Sequence, residues 1–132
     1  MFALSTIILH SCTGQVSEKT GDNDKSIVLQ TVLNMNDLQP FFHLENGIDT
    51  IVRILNNDVI KRAYPIKVNG EDVMYSETYS SNERYVEFLM VDISSDKAKI
   101  ELEIPFEGVH MKTSLVKKGD KWLVESNSLV EK

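Results

Sequence analysis

The chain has 132 residues with a hydrophobic fraction of 42% and a charged fraction of 26%. This composition predicts one globular domain, at a length too short for two ordinary ones. The formal net charge of −6 argues against nucleic-acid binding, because binding to a phosphate backbone needs clustered Lys and Arg. The single cysteine, Cys12, excludes an intramolecular disulfide, so stability must come from a hydrophobic core.

The beginning of the chain is uncharged, and residues 2–9 form an apolar stretch about the size of the hydrophobic region of a secretory signal. The tetrapeptide 9–12, Leu-His-Ser-Cys, resembles the lipobox of bacterial lipoproteins, in which a Leu three residues before the Cys and a small residue just before it mark a cleavage site. The resemblance implies that residues 1–12 are a leader. It also implies that a lipid on Cys12 attaches the protein to a membrane surface of the bacterial cell envelope. The alternative is a disordered apolar N-terminus with a free thiol.

The segment that follows, residues 13–25, is polar and rich in turn-forming residues, with Val16 as its only aliphatic residue. This composition is typical of a flexible tether. A flexible segment of this length spans on the order of 20 Å, enough to hold a domain just off a membrane. We therefore expect a single α+β domain over residues 26–132.

The domain is predicted to begin with a helical segment over residues 26–44. Ser26 can cap its start, and the apolar residues behind it recur at helical spacing. Asp37 offers a second cap, so we expect two helical pieces that separate near residues 34–36. A strand over residues 27–33 is the alternative, because apolar and polar residues also alternate there.

Short strands and turns are predicted in the middle of the chain. Residues 49–55 are typical of a strand, and residues 56–58 of a turn. Asn69-Gly70 suits the two positive-φ positions of a type I′ turn and predicts a hairpin. Residues 76–84 are polar and predict a loop or a single helical turn.

Residues 85–126 are predicted to form an antiparallel meander of four strands that buries one apolar face. A loop at 94–97 and turns at 107–108 and 119–120 define one register of the four strands. In this register the apolar side chains lie on one face, and opposite charges pair across strands on the other face. A slip of one residue would turn every apolar side chain outward. The expected partners are Ile93 with Ala98, Asp92 with Lys99, Leu89 with Leu102, Ile104 with Met111, Glu103 with Lys112, and Leu115 with Val124.

In that register, Phe88 and Met90 lie on the opposite, solvent-facing side of the sheet. They are surrounded there by charged residues that include Glu101 and Glu103. Large apolar side chains on a wet face need a cover or line a groove. These four residues are therefore the candidate ligand-binding or partner-binding face.

The sequence contains no motif that indicates catalysis or metal binding. His10, His43 and His110 have no metal-ligand spacing to one another or to Cys12. No serine lies in a G-x-S-x-G elbow, and the glycines are scattered singly instead of forming a phosphate-binding loop. We therefore expect no catalytic residue, no metal and no cofactor.

Helices followed by hairpins and a long meander, with K-K-G-D-K-W-L-V at 117–124, resemble the NTF2-like and cystatin-like α+β domains. Many of those domains end in a hairpin of the form K-x-G-x-W-x-V. The resemblance implies an N-terminal helical segment packed on a curved antiparallel sheet. Enzymes of that fold place Asp, Tyr or His in a pocket between helix and sheet, and the candidates here are Asp92, Tyr85 and His43.

The expected function is that of a non-catalytic cell-envelope lipoprotein domain, which binds a protein partner or a small ligand through the candidate face. One alternative is an NTF2-like small-molecule-binding enzyme or carrier with a pocket between helix and sheet. The other is an immunity-type or inhibitor protein, because a small acidic domain can mask a basic enzyme surface. No nucleic acid is expected as a partner.

Overall fold

The structure is a computed structural model, and it describes residues 23–43, 51–80 and 82–132. The predicted leader, Cys12 and residues 13–22 of the predicted tether lie outside these ranges. The fold is α+β, as expected. Its elements are α1 (residues 23–33), α2 (Gln39–Phe42), β1 (Arg53–Leu55), β2 (Lys67–Val68), β3 (Glu71–Asp72), β4 (Met74–Ser76), β5 (Glu87–Ile93), β6 (Lys97–Ile104), β7 (Val109–Lys118) and β8 (Lys121–Glu131).

The largest element is a four-stranded antiparallel sheet with the strand order β5-β6-β7-β8. Buried and more exposed residues alternate along β6 and most of β7 because successive side chains point to opposite faces of a strand. The predicted meander is confirmed, and its last strand continues past Ser126 to Glu131.

The first and third hairpins of the meander have the predicted register, whereas the second is shifted. Ile93 pairs with Ala98, and Leu115 pairs with Val124, as expected. The prediction for Ile104 is wrong, because it pairs with Val109 instead of Met111. The connection is a 3-10 turn, Pro105–Glu107, which is closed by Gly108 at a φ of +67°. The resulting shift is two residues, so every side chain keeps its predicted face.

A β-bulge in β5 corrects the predicted position of Phe88. Phe88 pairs with Leu102 and Met90 pairs with Glu101, which leaves Leu89 as the extra residue. The predicted pairing of Leu89 with Leu102 is therefore wrong. Phe88 points into the core with 0% of its surface exposed, while Met90 remains outside with 38% exposed.

Helix α1 confirms the helical interpretation of this segment and excludes the strand alternative. The four residues Val28, Leu29, Val32 and Leu33 are fully buried at helical spacing and belong to the same buried cluster as the sheet residues. Because residues 23–25 are already helical, Ser26 is not the N-cap, and these last three residues of the predicted tether belong to the folded domain.

The break between two helical pieces is also confirmed, but the predicted cap is wrong. Turns separate α1 from α2, and Leu38 occupies the N-cap position of α2 without a side-chain hydrogen bond. Asp37 instead accepts a hydrogen bond from Asn127 Nδ2 of β8 at 2.8 Å. Helix α2 ends at His43, which has a left-handed φ of 55°.

The middle of the chain contains the predicted turns and one pairing that the sequence did not predict. Asn69 and Gly70 have φ values of 53° and 84°, as the predicted hairpin turn requires. Strand β1 is shorter than predicted within the described residues, and it pairs in parallel with β4. A bridge from Ile54 to Val86 joins β1 to the start of β5. No helical turn occurs in the described part of 76–84, which is a loop after Ser76, the last residue of β4.

Candidate functional site

The side of the four-stranded sheet that faces away from the buried cluster is called the outer face here. The strand pairings arrange its residues in rows that cross the sheet. One row contains Met90, Glu101, Lys112 and Ser128; the next contains Asp92, Lys99, Ser114 and Ser126; and on the other side lie Glu87, Glu103, His110 and Val130. The outer face therefore has an acidic corner beside a basic and hydroxyl-bearing centre.

An open groove with about 290 Å³ of space crosses this centre. Its outer-face lining consists of Met90, Lys99, Lys112, Ser114, Ser126 and Ser128. The groove forms because the short serine side chains on β7 and β8 lie lower than the long lysine and methionine side chains next to them. Met90, with 38% of its surface exposed, contributes the apolar part of the wall.

The two lysines in the groove, Lys99 and Lys112, have no ion pair with any other described residue. Lys99 faces Asp92 and Lys112 faces Glu101 in the strand register. Within the three described ranges, however, neither ammonium group has a hydrogen bond or an ion pair. An ammonium group carries three donors and a hydroxyl carries one, so the lysines and serines together present donors to the groove.

The acidic corner explains why Lys112 lacks the partner that its register offers. His110 Nε2 lies 2.6 Å from Glu101 Oε2, and His110 Nδ1 lies 3.7 Å from Glu103 Oε1. A neutral imidazole can donate from only one ring nitrogen, whereas a protonated one can donate to both carboxylates. Only 27% of the His110 side-chain surface is accessible. The carboxylate of Glu101 is thus turned toward the histidine.

The structure divides the four residues of the predicted face. Met90 lines the groove, and Glu101 and Glu103 form the acidic corner next to it. Phe88 is buried in the core and does not belong to this face. The three serines were missed because the predicted meander ended at Ser126 and its second hairpin was two residues out of register. Their alternation along β7 and β8 is the signal that a correct register would have used.

Space between the helices and the sheet is filled by side chains that include Phe42 and Trp122, which are 6% and 5% exposed. A pocket beside Phe42, Tyr85 and Arg84 has a volume of about 10 Å³, which is room for about one water molecule. Of the three residues suggested by the NTF2-like resemblance, only Tyr85 lines this pocket.

The other two residues lie elsewhere and have different neighbours. His43 Nε2 lies 2.9 Å from Glu107 Oε1, and that carboxylate also binds Arg84 at 3.4 Å. Asp92 is an exposed residue of β5. The described residues do not bring His43, Tyr85 and Asp92 together around one cavity.

The part of the chain that the structure describes contains no group of three or more His, Cys, Asp or Glu side chains placed to hold a metal ion. None of its helices combines the length and the apolar character that crossing a lipid bilayer requires. No protein-family model matches the sequence, and no curated protein or solved structure is significantly similar to it.

Proposed function

We propose that this chain is a non-catalytic binding domain of the bacterial cell envelope, which is anchored by a lipid on Cys12 and binds a small anionic ligand in the outer-face groove. The observation that carries the proposal is the position of Lys99 and Lys112, which have no ion pair within the described part of the chain, beside three serine hydroxyls. An oxyanion accepts hydrogen bonds from ammonium and hydroxyl groups alike, and charge-assisted hydrogen bonds are the stronger kind.

The size of the groove supports a small ligand over a protein partner. Small-molecule sites occupy roughly 300–1,000 Å³, and the groove's 290 Å³ is close to the lower limit of that range. Met90 would contact the apolar part of such a ligand while Lys99 and Lys112 bind its carboxylate, sulfate or phosphate group. The ligand class is therefore a small molecule with one anionic group and a short apolar part.

The order of the elements supports a place among the NTF2-like and cystatin-like architectures, which we propose as the fold family. Helical segments come first, and a long four-stranded antiparallel meander ends the described chain. Unlike the pocket enzymes of that fold, this domain would use the outer side of its sheet, because the inner side is occupied by the core.

Binding is tested with the full chain and three anions of known composition: inorganic phosphate, sulfate and citrate. We expect at least one of them to shift the backbone amide NMR signals of Ser114, Ser126 and Ser128. Replacing Lys112 with Gln should weaken that binding by roughly tenfold, because one charge-assisted hydrogen bond is lost. Lys118→Gln, an exposed lysine near the β7–β8 turn, is the matched control. Equal weakening by both variants, or no site-specific shift with any of the three anions, would contradict the proposal.

The lipid anchor is tested separately in a bacterial host supplied with labelled palmitate. The native chain should carry the label, and a Cys12→Ser variant should not. If neither chain is labelled, the anchor is wrong while the groove remains open to its own test.

A further inference from the structure

Strand β8 is the longest of the described strands and forms one edge of the four-stranded sheet. It pairs with β7 on one side over its whole length. Along its other side, the described chain offers it no neighbouring strand. An edge of this kind presents a row of unpaired backbone N–H and C=O groups, which is a template for pairing with another strand.

The same strand concentrates exposed aliphatic side chains. Leu123, Val124 and Val130 have 46%, 40% and 54% of their surface exposed. Single apolar residues on a surface are ordinary, but three on one free edge strand mark a possible contact surface. Natural edge strands are usually protected by charges, prolines or bulges. Strand β8 contains no proline, and its charged residues are limited to Lys121, Glu125 and Glu131.

A bulge determines the side of the sheet on which each of these residues lies. Leu115 pairs with Val124, whereas its neighbour Ser114 pairs with Ser126, so Glu125 is the extra residue. Leu123 and Val130 therefore both lie on the outer face, although their sequence spacing is odd. Val124 lies on the opposite face, together with Leu129.

The exposed aliphatic residues of two β8 strands match one another in one antiparallel register. If two β8 strands pair about a two-fold axis at Asn127, with Glu125 bulged in each, Leu123 lies opposite Val130 and Val124 lies opposite Leu129. Every exposed aliphatic residue of the strand then meets another aliphatic residue on the same face, which is the kind of cross-strand pair that stabilises a sheet.

Neighbouring registers lose this match. An axis at Ser126 places Leu123 opposite Ser128, and an axis at Ser128 places Val124 opposite Glu131. Residues 121–132 contain two lysines and two glutamates, so the segment as a whole has no net charge that would repel a second copy. In the matched register, Glu131 of one copy lies opposite Trp122 of the other, and Lys121 lies opposite Lys132, just beyond the end of β8.

We propose that β8 pairs in this register with β8 of a second copy of the chain, so that two four-stranded sheets become one eight-stranded sheet. Ser126 of each copy then lies opposite Ser128 of the other. Because both serines line the groove, the two grooves meet across the two-fold axis. Their hydroxyl-lined floors become one continuous surface between two copies of Lys112.

The register is tested by disulfide cross-linking of the full chain in a Cys12→Ser background. Ser126→Cys and Ser128→Cys proteins are oxidised separately and as an equal mixture. Opposed positions in an antiparallel pair have Cα atoms within disulfide reach, whereas two copies of position 126 lie diagonally apart, beyond the roughly 7 Å limit. We expect a strong disulfide-linked dimer in the mixture and little in either protein alone. Equal cross-linking in all three samples, or none in the mixture, would overturn the proposed register.

Association itself is measured by sedimentation velocity over a concentration series. Val130→Lys places an ammonium group opposite Leu123 in both halves of the dimer, so the dissociation constant should rise roughly tenfold or more. Met74→Lys is the control, because Met74 is 50% exposed and lies on β4, away from this edge. A native chain that sediments as a monomer throughout the series, or equal weakening by both substitutions, would refute the dimer. Neither experiment depends on ligand binding.

Discussion

The indole Nε1 of Trp122 donates a hydrogen bond to Asp24 Oδ1 at 3.3 Å, which connects the first described helix to the last strand across 98 residues of sequence. Lys117 Nζ lies 3.3 Å from the same oxygen, so one carboxylate satisfies two donors on the β7–β8 hairpin. Only 16% of the Asp24 side-chain surface is accessible. This contact fixes α1 against the end of the sheet.

Replacing Asp24 with Ala should lower the free energy of unfolding by about 1–3 kcal/mol, because a largely buried indole N–H and an ammonium group lose their acceptor. Urea denaturation followed by Trp122 fluorescence measures the loss. Asp92→Ala is the control, since Asp92 is exposed and its side chain has no hydrogen bond within the described residues. Equal midpoints for the two variants would show that the contact contributes nothing.

Phe88 and Met90 should respond oppositely to truncation, although they are two residues apart on one strand. Phe88→Ala removes a fully buried ring and should cost about 3–5 kcal/mol of stability. Met90→Ala removes a side chain that is 38% exposed and should cost less than about 1 kcal/mol. Thermal or chemical denaturation of both variants distinguishes the bulged strand from the regular one that the sequence predicted, in which both side chains would face solvent.

Tyr75 should make the stability of the domain fall in alkaline solution. Its hydroxyl donates to the Tyr64 carbonyl at 2.7 Å, and burial raises the pKa of Tyr75 well above its usual value. Above about pH 10 the unfolded chain releases this proton while the folded chain retains it, so the free energy of unfolding decreases as the pH rises.

A Tyr75→Phe variant should lose about 1 kcal/mol at neutral pH with its hydrogen bond, and its stability should then fall less steeply above about pH 10. Denaturation curves between about pH 7 and pH 11 test this. Tyr85→Phe serves as the comparison. A constant difference between the native chain and Tyr75→Phe over that interval would contradict the assignment.

Two glycines with similar backbone angles should differ in their tolerance of a methyl group. Gly108 and Gly119 have φ values of +67° and +63°, a region that costs an L-residue about 1–2 kcal/mol. A Cβ on Gly108 would also lie 2.9 Å from the Lys132 carbonyl oxygen, whereas one on Gly119 would meet open space. Gly108→Ala should therefore destabilise the domain clearly more than Gly119→Ala, as measured by their unfolding midpoints.

Local patterns predicted the parts of the fold that depend on neighbours in sequence. Alternation predicted the meander, helical spacing predicted α1, and Asn69-Gly70 predicted its hairpin. The two bulges were missed because alternation cannot show where a single extra residue, such as Leu89 or Glu125, interrupts it. The parallel pairing of β1 with β4 could not be predicted from local patterns either, since it depends on packing between segments far apart in sequence.

The candidate site was predicted in part, for a related reason. Met90, Glu101 and Glu103 were placed on the correct face, because a register error of two residues preserves the side of the sheet. Because of the same error, Lys112 was predicted to pair with Glu103 instead of Glu101. The contact between Glu101 and His110 was therefore not predicted. To predict which side chains contact one another across strands, the exact pairing is needed. To predict the face on which a residue lies, it is enough that the register error is an even number of residues.

The bond between Asp24 and Trp122 also affects the order in which the domain can form. Hairpins of the meander join residues close in sequence, so they can close early, whereas the bond from α1 to β8 must wait for a residue 98 positions away. During synthesis on a ribosome, α1 emerges long before its partner strands. Its apolar face, formed by Val28, Leu29, Val32 and Leu33, belongs to one buried cluster with residues of β5 to β8, so it is not fully covered until those strands have been made. That interval is when the nascent chain is most exposed to aggregation and most in need of a chaperone.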